Sequence, residues 1–156
     1  MLIFYPHLWA KSPIFLAACL LCLGTMTTAL ASPSAEAYEE LLSSLPEVGE
    51  PVYDIPSYAN AIPNARAPMV ITGSYEGLKF TARVEGGRTS YLVITPEAGS
   101  VDTSDIEEDV LDAIESVYGE HAAHSGSNYV WNGNRSVDGY SAGNYSVSSG
   151  KIFFQF

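Results

Sequence analysis

Glu120, His121 and His124 are the side chains here whose types and spacing come nearest to a reactive centre. Two imidazoles at i and i+3 beside a carboxylate can hold Zn²⁺ or Cu²⁺ if one helix face carries them all. A closed site needs a fourth ligand, and no cysteine follows Cys22. No histidine other than these two follows His7, so histidine general-base chemistry in the rest of the chain rests on them. Gly139-Tyr140-Ser141-Ala142-Gly143 is a literal G-x-S-x-G. That motif exposes a reactive serine only where a strand enters the turn and a helix leaves it. The flanking Asn134-Arg135-Ser136-Val137-Asp138 makes a poor strand, and Asn144-Tyr145-Ser146-Val147-Ser148 a poor helix. No Asp, Glu or His follows Gly143. The segment reads as a loop between strands, and no cofactor is expected.

Binding is the stronger expectation. Nine of the ten tyrosines follow residue 31, many beside Ser, Gly and Asn, the mixture that adaptable protein-binding loops use. Tyr129, Trp131, Arg135, Tyr140 and Tyr145 are the candidate contact residues. The alternative is that these are ordinary connecting loops whose aromatics turn inward. Asn134-Arg135-Ser136 and Asn144-Tyr145-Ser146 also match the glycosylation sequon.

The charge balance narrows the partners. The 156 residues carry 18 Asp and Glu against 7 Lys and Arg, a formal net charge of −11. A phosphate backbone needs basic patches that displace counterions, so a nucleic-acid ligand is excluded. Residues 1–31 contain no acid and only Lys11, followed by an apolar run and the small-residue end Ala29-Leu30-Ala31. That order predicts a cleaved signal peptide and a secreted or periplasmic product, with no membrane attachment after cleavage. Such a product has no cysteine and must be stabilised by packing instead of disulfides. The expected function is a small acidic binding protein. A secreted hydrolase or metal-binding enzyme using His121 and His124 is the alternative, and a toxin or host-directed effector is the third.

These residues must be positioned by the elements around them. Tyr38, Leu41, Leu42 and Leu45 form an apolar stripe at i, i+3, i+4 and i+7, predicting a helix over 34–45 with Pro33 in its first turn. Five prolines between 46 and 68 predict an extended strap that is neither helix nor central strand. Residues 69–75 and the alternating Leu78, Phe80, Ala82 and Val84 predict two strands of a meander. Gly86-Gly87 then turns the chain into a third strand, setting Glu85 opposite Arg88. Residues 102–118 predict a second helix, with Ser104 and Glu107 as a capping box and Gly119 as its stop. Short strands are expected around Tyr129, Tyr145 and 152–156, the last one central. The domain reading is 1–31 leader, 32–68 helix and strap, 69–156 core. The fold class is α+β: an antiparallel sheet, a β-meander plus C-terminal strands, packed by two amphipathic helices. No internal repeat is visible.

Overall fold

Alternation and helical stripes separate the chain into two layers. In a computed structural model, which describes residues 32–62, 69–133 and 140–156, one eight-stranded antiparallel sheet carries two helices on one face. The leader lies outside the described residues. Helix α1 (Ala35–Ser44) buries Tyr38, Leu41 and Leu42, and the Ser34 hydroxyl caps its start by accepting from the Ala37 N–H. Pro33 thus precedes the cap instead of occupying the first turn. Strands β1 (Ala59–Ile62), β2 (Met69–Tyr75), β3 (Leu78–Glu85) and β4 (Arg88–Pro96) follow as a meander. Helix α2 (Glu107–Tyr118) comes next, then β5 (Ala123–Ser125), β6 (Asn128–Trp131), β7 (Ala142–Ser146) and β8 (Lys151–Gln155).

The strand order β1-β2-β3-β4-β8-β7-β6-β5 shows that the chain is built as one helix and four strands, twice. Each meander runs inward from an edge, and the two join where β4 pairs with β8. The tail strand is therefore central, as its alternation predicts. Both edge strands escape the sequence reading. β1 lies within the proline-rich strap and β5 has only three residues, so neither shows a usable alternation. Ahead of β1 the strap touches the core over residues 48–52: Val48 is buried, and Gly49, Glu50 and Val52 exchange backbone hydrogen bonds with Gly87 and Thr89.

One further local expectation is corrected and another is qualified. Ser104 and Glu107 do not form a capping box, because a 3-10 turn (Ser104–Ile106) precedes α2, whose N-cap is Ile106. The Asp102 carboxylate instead accepts from the Ser104 N–H, and that bond holds its pKa below the usual value. Glu85 does lie opposite Arg88, but its carboxylate pairs with Arg83 at 2.5 Å. The Arg88 guanidinium donates to the Gly49 carbonyl.

The core lies between the helices and one sheet face. Leu78, Phe80, Ala82, Val84, Leu92, Ile94, Ile152 and Phe154 line that face. Tyr38 crosses it to donate to the Gly150 carbonyl at 2.6 Å. Thr103 donates to the Val147 carbonyl and also bonds the Tyr145 hydroxyl. Gly143 is a close-approach position: an added Cβ would lie 2.1 Å from the Phe154 ring. That ring is held by Tyr118, Trp131 and Tyr140 and has nowhere to move.

Two predictions follow from this packing. Gly143→Ala should destabilise the fold by about 2 kcal/mol through overpacking, read by chemical denaturation. An unchanged midpoint would contradict the packing of the Phe154 ring. Burial raises the phenol pKa of Tyr145 to about 12 and those of Tyr38 and Tyr118 still higher. A folded state that holds these protons more tightly is favoured fully below about pH 10 and loses that advantage as pH climbs through the folded pKa values. Circular dichroism should therefore show stability falling above about pH 10, and Tyr145→Phe should flatten that fall.

Candidate functional site

The segment after α2 determines which candidate residues reach solvent. Trp131 is fully buried, and its indole N–H donates to the Gly119 carbonyl at 2.7 Å. Tyr140 is buried and donates to the Tyr118 carbonyl at 2.8 Å. These are the carbonyls that a helix end leaves without intrahelical partners, so both aromatics close α2. Tyr145 is fully buried against Thr103. The inward-turned alternative therefore describes Trp131, Tyr140 and Tyr145, and none of the three presents a contact surface. Arg135 lies outside the described residues, as does Gly139 of the G-x-S-x-G pattern. The element that leaves that pattern is strand β7, not the helix a reactive serine requires.

Tyr129 and His121 are half-buried and come together on the helix side of the sheet. Their rings meet edge to face at 5.0 Å, and the His124 ring stacks near Tyr129 at 5.5 Å. Each secures a carboxylate of α2. The Tyr129 hydroxyl donates to Glu107, a bond that raises the phenol pKa. His121 Nδ1 lies 2.6 Å from Glu115 Oε1, which also accepts the His121 backbone N–H at 3.2 Å. Glu120 is exposed and stands apart from this arrangement in every contact described. Among the described residues no group of three His, Cys, Asp or Glu side chains is placed to hold a metal ion.

The pair forms the wall of a groove. A cavity of about 560 Å³ runs beside α2, lined by Ile106, Glu107, Leu111, Asp112, Glu115, His121 and Tyr129 among others. A second, of about 620 Å³, lies between the helices and is lined by Glu36, Glu39, Asp109 and Asp112. Nine carboxylates lie on α1, α2 and the 3-10 turn, with no Lys or Arg among them. The four described basic residues, Lys79, Arg83, Arg88 and Lys151, all sit on β3, β4 and β8. The grooves are thus anionic with a partly apolar floor. This arrangement can attract and orient a cation-bearing surface. The sequence singles out His121 and Tyr129 separately, and Glu107 only as part of a capping box. Nothing in their spacing brings 107, 115, 121 and 129 together; that depends on the turn after Gly119.

No family model, curated protein or solved structure matches the chain. The site's own chemistry is therefore the ground for a functional reading.

Burial separates the candidates experimentally. Trp131→Ala should cost about 3–5 kcal/mol, whereas Tyr129→Phe should move the midpoint far less and release Glu107. Urea denaturation measures both. Equal costs would contradict the division between core and groove.

Proposed function

We propose that this chain is a small acidic binding protein, exported after removal of residues 1–31, that receives a positively charged protein partner in the groove beside α2. The observation that carries this reading is the separation of charge: nine carboxylates on the helix layer and no base among them. Opposed potentials guide diffusional encounter and set orientation, which raises association rates more than it lowers dissociation rates. Tyr129 and His121 add to this by fixing Glu107 and Glu115 at the groove wall, so those carboxylates lose little side-chain freedom when a partner arrives. Ile106 and Leu111 supply apolar surface between the charges. Composition fits the proposed export, since a product without Cys19 and Cys22 and with an acid excess needs no disulfide and resists association through like-charge repulsion.

The test uses partners captured from the host's secreted or periplasmic fraction. Glu108→Lys with Asp112→Lys should slow association by about tenfold at low salt, with the difference shrinking as salt rises. Both side chains are exposed, so the variant should keep the parent's circular dichroism spectrum, with only the modest loss of stability that a lysine in the first turn of α2 brings. Capture of the same partner at an unchanged rate would falsify the groove as its site. Intact-mass detection of a retained leader would overturn the export step.

A further inference from the structure

The opposite side of the sheet has a different character. Strand parity puts Thr72, Thr81, Val93, Phe153, Asn144 and Val130 in one row across that face, each opposite the next in register. Tyr91 packs edge to face on Phe153 at 5.3 Å. No described element covers these side chains. Val130 remains 38% exposed, and Tyr91, Val93 and Phe153 are only half-buried by one another.

We propose that this face is where a second copy of the chain docks, sheet on sheet, to form a two-fold dimer with both acidic helix layers facing outward. Three observations select a second copy. The first is charge. The face carries Lys79, Arg83 and Lys151 against Glu85, whereas the helix layer carries nine carboxylates and repels its own kind. The sheet face is thus the surface on which two strongly anionic chains can approach, because screening limits their overall repulsion to about 8 Å at physiological salt.

The second observation is area. Eight strands at about 4.8 Å spacing and five residues at about 3.3 Å rise give a face of about 600 Å². That is the lower end of what each partner buries in a stable complex, about 600–1,000 Å². The third is the arrangement of charges along the strands. Lys79 and Lys151 lie at one end of β3 and β8, while Arg83 and Glu85 lie at the other end of β3. A two-fold axis crossing the strands exchanges the ends and sets Glu85 of each copy against Lys79 and Lys151 of the other. The Val93, Tyr91 and Phe153 ridge then meets its own image, as inner faces do in aligned sheet packing.

Sedimentation velocity on the full-length protein as its host accumulates it, across a concentration series, tests the proposal. The expected result is a reversible dimer. Lys79→Glu with Lys151→Glu should raise its dissociation constant at least tenfold, and adding Glu85→Lys should restore most of the loss. All three side chains are exposed, so each variant should keep the parent's circular dichroism spectrum. A monomer at every concentration would overturn the proposal, as would a dimer that the double variant leaves unchanged. A dimer weakened by the double variant but not rescued by Glu85→Lys would overturn the end-exchanged arrangement. The groove beside α2 is on the far side of the molecule, so partner capture there reads out independently of this assembly.

Discussion

The end of helix α2 is where the two layers are locked together. Tyr118 stacks flat on Phe154 with ring centroids 3.7 Å apart, and Trp131 and Tyr140 meet the same ring edge to face. The Trp131 indole and the Tyr140 hydroxyl then donate to the Gly119 and Tyr118 carbonyls. One cluster thus supplies apolar burial, aromatic contact and satisfaction of orphaned helix carbonyls. Buried polar groups are tolerable only when bonded, and here the Trp131 and Tyr140 donors both reach helix-end acceptors. The direction in which α2 leaves this cluster decides which of its faces meets the sheet and which meets water.

That single placement organises the second half of the chain as α1 organises the first. Each half is a helix followed by a four-strand meander, and the halves join along the antiparallel β4–β8 ladder. The seam brings Leu92 opposite Phe154 and Ile94 opposite Ile152, so the deepest part of the core forms where the halves meet. The halves interlock, because Phe154 of β8 sits opposite Leu92 of β4 while Tyr38 of α1 reaches across to Gly150 in the turn before β8. This interlocking ties the burial of each half to the presence of the other.

Much of this was legible from residue order. The stripe in α1, the meander through Gly86-Gly87, the stop of α2 at Gly119 and the central tail strand are periodicity and turn signals that tertiary packing reinforces. The start of α2 is not among them, since a 3-10 turn stands where the first helical turn is expected. The halves are not repeats in sequence because only their burial pattern is shared, and Leu, Tyr, Phe and Trp satisfy burial interchangeably. Edge strands β1 and β5 were hidden for a related reason. An edge needs only one hydrogen-bonded neighbour and, in β5, presents no buried residue, so no alternation marks it. The candidate site was legible only in pieces. Tyr129 and His121 stood out as types, but their carboxylate partners lie 22 and 6 residues away and meet them only once the chain has turned at Gly119. Trp131 and Tyr140 misled because large aromatics in a Ser- and Gly-rich stretch carry no mark of direction.

The aromatic lock also explains how the helix layer can remain wholly anionic. A helix C-terminus carries a partial negative charge, and Lys or Arg in the last turn is the usual remedy. The last turns of α1 and α2 contain neither. In α2, neutral donors from Trp131 and Tyr140 meet the final carbonyls instead, from inside the core. At the opposite end Glu107, Glu108 and Asp109 occupy the first turn, where the dipole favours negative charge. The helix is therefore stabilised at both ends without placing one positive side chain on its outer surface. Had a lysine been used at the C-terminal end, it would stand beside Glu115 and the groove and compete for the carboxylates that the proposed partner needs. Capping from the core separates the requirement for a stable helix from the requirement for an uninterrupted negative surface, and it lets one twelve-residue segment meet both.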